Sequence, residues 1–254
     1  MNISIKAILV CVDYHDILSL TLPTNAHHFD SVLVVTTPND RKTQAIVDRI
    51  PNATCHCTNA FYEHGCAFNK GAAMEEGFDI VGRDGWIVVL DADIVLPPQM
   101  RFPNLSEQQI YGVQRRMCED ISLYAEGWYH DYQEWQALPT MPDTDIAVGF
   151  FQLFNASADH LTNRPWYPIE WKHAGGCDSF FERKWNNQNR IRLFDFQVLH
   201  LGTAGKNWFG RTTPFLDGTL HEKSEDRFLQ LSDMIKTRKK GLPNYMGERL
   251  PPQA

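Results

Sequence analysis

The sequence predicts an α/β fold built on a mostly parallel central sheet with helices on both faces. Two observations carry this. Apolar strand-like runs alternate with helical segments through the first hundred residues, which is the order of units that build a parallel sheet. Those runs are also near-continuously apolar rather than alternating, as strands buried on both faces are. A third observation bears on function. Asp13, Asp40 and Asp91 fall at or just past the ends of such runs, where sheets of this kind hold their ligands.

The elements follow in order. Ile3 to Val12 is the first strand, and Asp16 opens a short mixed segment that stops at Pro23. Ser31 to Thr37 is the second strand. Asp40 then caps a helix over RKTQAIVDRI, closed by Pro51. Ala53 to Cys57 reads as a weaker strand. Asn69 to Phe78 reads as a helix with Ala72, Ala73 and Phe78 on its buried side. WIVVLDADIVLPP is a buried strand ending in acids. Beyond it, Ile110 to Met117, Ile146 to Phe154 and Ile191 to Leu199 read as strands, and Asp178 to Asn187 as a helix. Residues 162–176 and Gly202 to Gly218 have loop composition. Glu222 to Lys240 fits an amphipathic helix with Phe228, Leu231, Met234 and Ile235 on one face and cations in its last turn. The expectation is one domain over residues 1–240 and a loose tail over 241–254.

Composition narrows the classes. At 254 residues, 43% hydrophobic and 22% charged, the chain is of ordinary globular make-up. A net charge of -7 argues against a surface devoted to nucleic acid. The longest apolar runs fall far short of the ~20 residues that span a bilayer. The N-terminus lacks a basic n-region, so a cytoplasmic protein with six reduced cysteines is expected.

Asp91-Ala92-Asp93 is the strongest chemical signal. An apolar strand delivers two carboxylates to its end, and like charges so close are costly without a cation beside them. Oxygen ligands suit Mg2+ or Mn2+. Cys55, Cys57, His64 and Cys66 place four soft donors within twelve residues, the makings of a structural zinc site, against which stands the commoner use of free cysteine as a small buried hydrophobe.

Five stretches in order, VCVDYHD, TTPND, FNKGAAMEEGF, LDADIVLPP and the pair GGCDSFFERKW and LHLGTAGKNWFGR, resemble the GT-A class of nucleotide-sugar-dependent glycosyltransferases, the small inverting ones with one Rossmann-like domain. The likeness covers roughly residues 5–210. It implies a Rossmann-like GT-A fold and a metal-dependent transfer from a nucleoside diphosphate sugar, most often a UDP sugar, to a hydroxyl. By the resemblance, Asp93 binds Mn2+ or Mg2+ directly, Asp91 touches the metal through water or the donor ribose, and His200 supplies a third ligand. It makes Asp178 the general base, with Glu182 one turn on as the reserve. Asp13, Tyr14 and Asp40 fall where the family holds nucleobase and ribose, and Asn69 and Lys70 where it holds the diphosphate; Asn207, Trp208 and Arg211, in the loop after His200, either close over phosphates or acceptor or belong to a packing loop. Trp166, Tyr167 and Trp171, just before Asp178, are the expected acceptor platform, since aromatic faces stack on sugar rings. Arg183, Lys184, Arg190 and Arg192 form a basic cluster beside that loop, which suits an anionic acceptor, a nucleic acid included. Two rivals remain. A sugar-phosphate nucleotidyltransferase would share sheet and acids, but CVDYHD offers no Gly-rich basic loop. A silent glycan- or sugar-nucleotide-binding module would not need a base.

Overall fold

The computed structural model describes residues 3–102, 104–142 and 145–239. The first half alternates as expected: β1 (Ile5–Val10), α1 (His15–Asn25), β2 (Ser31–Thr36), α2 (Arg41–Val47), β3 (Ala53–Cys57), α3 (Lys70–Val81) and β4 (Trp86–Asp91). The second half comprises β5 (Ile94–Val95), β6 (Ile110–Cys118), α4 (Ile121–Ala125), β7 (Phe151–Asn155), α5 (Cys177–Glu182), β8 (Arg190–Leu201) and α6 (Ser224–Lys239). The eight strands of the described residues form one sheet in the order β3-β2-β1-β4-β7-β6-β8-β5. β3, β2, β1 and β4 are parallel. β7 runs against β4 and β6, β8 lies parallel to β6, and β5 runs against β8. The sheet is therefore mostly parallel, with a Rossmann-like half up to β4 and a mixed half beyond it.

Alternation along β1 explains the two layers. Ala7 and Leu9 pack on one face with Leu18 and Leu22 of α1 and Val47 of α2. Ile8 points to the other, where Ala73, Met74 and Phe78 of α3 and Phe181 of α5 form the second core. Gly77 lets α3 lie close on the sheet, because a Cβ there would sit 2.5 Å from the Ile8 side chain.

Several boundaries differ from expectation for physical reasons. α1 runs past Pro23 to Asn25, because tertiary bonds hold its last turn: Asn25 donates to the Ile94 carbonyl at 2.7 Å and accepts from Leu96 N at 2.9 Å. The expected strand over 146–154 starts only at Phe151. Its first residues are instead drawn toward α5, where buried Glu182 accepts from the backbone N–H groups of Ile146 and Ala147. α5 ends at Glu182 rather than Asn187. α6 is seated differently from its apolar stripe. Leu231 is buried, but Phe228 is 53% exposed and Ile235 38%, and buried Arg227 does much of the anchoring. Lys240 and the expected tail 241–254 lie outside the described residues. Among the described residues, no helix is long and apolar enough to cross a membrane.

Candidate active site

The carboxyl ends of β1 and β4 open into a cleft of about 430 Å3 that reaches across to the loops of the mixed half. Asp91 ends β4, and the chain reverses through Ala92 and Asp93 to form β5 against the end of β8. This reversal sets Asp93 beside His200, with Oδ1 to Nε2 at 3.9 Å. It is held rigidly. Thr21 Oγ1 donates to the Ala92 carbonyl at 2.7 Å, Leu201 N donates to the Asp93 carbonyl at 2.8 Å, and Asn25 brackets Ile94 and Leu96. Thr21 and Asn25 escaped the sequence analysis. Their only signal is two polar residues four apart on the inward face of α1, a spacing that stacks them.

Asp93 is buried, and burial pushes its carboxyl above the ordinary range, with His200 pulling it back and Asp91 adding to the rise. Among the described residues, its Oδ1 has no hydrogen-bond partner, and neither does His200 Nδ1. A buried carboxylate oxygen left this way is costly, and a divalent cation between Asp93 and His200 would relieve the cost. One oxygen and one imidazole donor fit Mn2+ better than Mg2+. They make an open site, since among the described residues no group of three or more His, Cys, Asp or Glu side chains gathers to hold a metal. The same finding leaves the Cys55, Cys57, His64, Cys66 zinc site unformed. Cys57 is exposed on the edge strand β3, while Cys66 is buried against Asn69 and the Trp171 carbonyl.

Lys70 lies at the centre. Its Nζ is 3.0 Å from Asp91 Oδ1 and 3.1 Å from Asp178 Oδ1, and the side chain is 9% exposed. Burial alone would lower its pKa, but the Asp178 and Asp91 carboxylates outweigh this and hold the ammonium charged well above its usual range. Asp178 sits in the first turn of α5. Gly176, at φ +86°, is the N-cap, and the Asp178 carboxylate faces Lys70. Burial raises the Asp178 pKa and Lys70 lowers it. The side chain keeps 22% exposure toward the cleft. Two residues missed in the sequence fix it there. A Cβ at Gly149 would lie 2.0 Å from the Asp178 carboxyl. Fully buried Gln152 donates to the Ala147 carbonyl at 2.7 Å and the Asp178 carbonyl at 3.1 Å, and Tyr167 OH donates to its Oε1.

The other expected site residues divide. Asn69 caps α3, accepting from Ala72 N, and donates to the Ile169 carbonyl; it positions Lys70 and has no group turned to a ligand. Asp40 caps α2 through Thr43 and accepts from Asp13 N at 2.8 Å and from the Thr36 and Thr43 hydroxyls, so it shapes the β1–α1 turn rather than facing a base. Asp13, at φ +58°, points its carboxylate to His221 at 3.1 Å and Arg227 at 3.6 Å. Tyr14 lines the cleft and accepts from Asn207 Nδ2 at 2.6 Å. Arg211 spends all five donors inside the chain, on the Asp16 carboxylate and on the carbonyls of Asp13, Thr213 and Pro214. It is a structural clamp with no N–H left for a phosphate. Glu182 is buried under the 146–147 turn and does not line the cleft. Trp166, Tyr167 and Trp171 are core residues at 2%, 0% and 4% exposure, packed with Phe78, Phe154, Phe180 and Phe181, so the platform expected there is not on the cleft. The aromatic side chains that do line it are Tyr14, Phe68, Phe150 and Trp208. The basic cluster lies apart from the cleft; Arg183 and Arg190 border a separate surface hollow, and Arg192 donates to the Asp145 carbonyl.

A scan against protein-family models finds no match, and a search of curated proteins finds no similar sequence. Among solved structures, the chain is similar to mannosyl-3-phosphoglycerate synthase from Rubrobacter xylanophilus, at 14% identity and TM-score 0.47 over 99% of this chain and 77% of that one. It is similar to glucosyl-3-phosphoglycerate synthase from Mycobacterium tuberculosis, at 13% identity and TM-score 0.45 over 98% and 88%. A third is 4-diphosphocytidyl-2C-methyl-D-erythritol synthase from Anaerococcus prevotii, at 10% identity and TM-score 0.41 over 92% and 97%. Glycosyltransferases and a nucleotide-dependent synthase thus occur together at these low identities, and the chemistry of this chain has to be argued from its own cleft.

Proposed function

We propose that the chain is a glycosyltransferase that moves a sugar from a nucleoside diphosphate donor, UDP sugar by preference, to an acceptor hydroxyl with inversion. One observation carries the reading: a single cleft brings together a cation-ready pair, Asp93 with His200, and an accessible carboxylate, Asp178, joined through Lys70 to Asp91. A binding module gains nothing from a carboxylate kept basic at the cleft wall. A nucleotidyltransferase would need cations on the β1–α1 turn to take a triphosphate, and Asp13, Tyr14 and His15 stand there instead.

Asp93 and His200 would hold Mn2+ or Mg2+, which when bound supplies Lewis-acid stabilisation of the leaving diphosphate. The chain's own groups do the rest. Tyr14, Val10 and Val12 line the nucleoside end. Lys70 opposes the rise that burial gives the Asp178 pKa and so favours its carboxylate form. Asp178 takes the proton of the acceptor hydroxyl as the acceptor oxygen bonds to the anomeric carbon and the bond from that carbon to the phosphate oxygen breaks.

The test is a thermal-shift screen of nucleoside diphosphates with and without Mn2+. UDP at a hundredfold over its dissociation constant should add about 2.7 kcal/mol of stability, and EDTA should remove most of that gain. No stabilisation by any nucleoside diphosphate, with or without metal, would defeat the reading. The anomeric configuration of the product decides between inversion and retention. Gly149→Ala offers a finer check. The new methyl displaces the Asp178 carboxyl from Lys70, so transfer should fall roughly a hundredfold, the usual cost of a misplaced catalytic group, with UDP-dependent stabilisation unchanged.

A further inference from the structure

Cys177 is the first residue of α5 and the chain neighbour of Asp178. It is 1% exposed and packs in the core layer that holds Trp171 and Phe181. A buried cysteine of this kind is ordinarily a small hydrophobe. Here its Sγ also donates to Asp178 Oδ1 at 3.6 Å, the same oxygen that Lys70 Nζ reaches at 3.1 Å. The turn before it sets the thiol in place: Cys177 N closes on the Ala174 carbonyl at 3.2 Å. Gly149 bounds the carboxyl on another side, since a Cβ there would lie 2.0 Å from Oδ2 as well as from Cγ. Burial pushes the thiol well above its ordinary range, with the Asp178 charge adding to the rise, so the group stays S–H and keeps its role as donor. Among the described residues, no donor reaches Oδ2.

From these contacts we infer that Cys177 is a positioning residue for the base: its thiol and the Lys70 ammonium together hold Asp178 Oδ1, and the acceptor proton is taken by Oδ2. As the acceptor O–H bond breaks, a new O–H bond forms on Oδ2. The electron pair released on the acceptor oxygen makes the bond to the anomeric carbon. Two donors on one oxygen stop the carboxylate from turning, which fixes the line along which the hydroxyl approaches. A thiol suits the task because it is a weak donor. It orients the oxygen while drawing less basicity from it than a hydroxyl or a second cation would. The inference rests on the glycosyl-transfer reading for the proton that Oδ2 takes; the bond from Sγ to Oδ1 does not depend on it.

The experiment uses the whole chain, as wild type and as Cys177→Ala and Cys177→Ser. It follows the infrared S–H stretch, the carbon NMR signal of the Asp178 carboxyl through a pH titration, and UDP release from UDP-glucose with Mn2+, water serving as the acceptor. The S–H band of Cys177 is the one missing from Cys177→Ser. It should move to higher frequency in Asp178→Asn, because an amide oxygen is a weaker acceptor than a carboxylate. The titratable and charged groups that face Asp178 are Lys70 of α3, Asp91 of β4, Tyr167 of the loop before α5 and Cys177 itself, and the two variants change only the last. Cys177→Ala removes a donor to the charged form, so the Asp178 titration should move to higher pH, and Cys177→Ser should return it to the wild-type position or below. On the alkaline plateau UDP release should fall about three- to tenfold in Cys177→Ala, in kcat rather than in KM for UDP-glucose, and recover in Cys177→Ser. A role in packing alone predicts that alanine and serine act alike. If Cys177→Ala does not fold, the band shift in Asp178→Asn and the titration of Cys177→Ser carry the test. An unmoved band overturns the inference, and so does a titration that alanine and serine shift equally. If wild type releases no UDP while band and titration behave as expected, the transfer reading fails and the held carboxylate survives; UDP release with an unmoved band removes only the role of Cys177.

Discussion

Asp178→Asn is expected to slow sugar transfer by about 10²- to 10⁴-fold while UDP and Mn2+ still stabilise the protein as in wild type. Asparagine has the same shape and leaves Lys70 paired with Asp91, so the fold and the donor half stay intact. What is lost is the ability to accept a proton. The pH profile gives a sharper form of the same prediction. Burial raises the Asp178 pKa above its ordinary value, and Lys70 draws it down. A base works deprotonated, so kcat/KM should fall as pH drops through that raised value. Lys70→Met removes the downward pull, and the acid limb should move to higher pH. If the limb stays in place when Lys70 is replaced, a different group sets it and Asp178 is not the base. Wild-type transfer by Asp178→Asn would sink the assignment outright.

How much of this was legible in the sequence follows from where the determinants lie. The parallel half was readable because its signals are local: apolar runs set β1, β2 and β4, while Asp40 and Asn69 cap α2 and α3 as their sequence positions suggest. Asp91, Asp93, Asp178, His200 and Lys70 do line one cleft. Misplaced or left open were residues whose fate depends on contacts distant in sequence. Arg211 was open between a phosphate or acceptor contact and a packing role, and its partners Asp13 and Asp16, which decide for packing, lie almost two hundred positions away. Trp166, Tyr167 and Trp171 looked like a platform because a loop rich in Pro, Trp and Gly reads as exposed. The loop is instead held down by Glu75 of α3, whose Oε1 accepts from the N–H groups of Trp166 and Tyr167 at 2.8 Å. Close approach adds to this, since a Cβ at Gly71 would sit 2.2 Å from the Pro168 carbonyl oxygen. Gly149, Gln152, Thr21 and Asn25 carry no motif at all. Their work is to hold backbone in place, and no pattern in the chain marks a residue for that.

Arg211→Met is expected to cost about 3–5 kcal/mol of stability, the range for removing one partner of a buried ion pair. The Arg211 side chain is fully buried and Asp16 is 11% exposed, so the variant leaves a largely buried carboxylate with, among the described residues, only the Leu216 N–H as its partner and three carbonyls without the Arg211 donor. The guanidinium also lies between the Tyr14 and Phe215 rings, at 4.5 and 4.0 Å, and methionine replaces only the apolar part of that stack. Urea unfolding should show the loss as a lower midpoint with an unchanged slope. Adding Asp16→Asn should recover part of it, because the orphaned charge is then gone, and a double-mutant cycle isolates the pair. The cycle also separates two roles that the sequence alone confuses. A clamp predicts a large stability loss, with UDP affinity falling only as far as Tyr14 loosens. A phosphate ligand predicts the opposite, nearly full stability with UDP affinity destroyed, and that result would return Arg211 to the donor site and require the Asp16 pairing to open when the nucleotide binds.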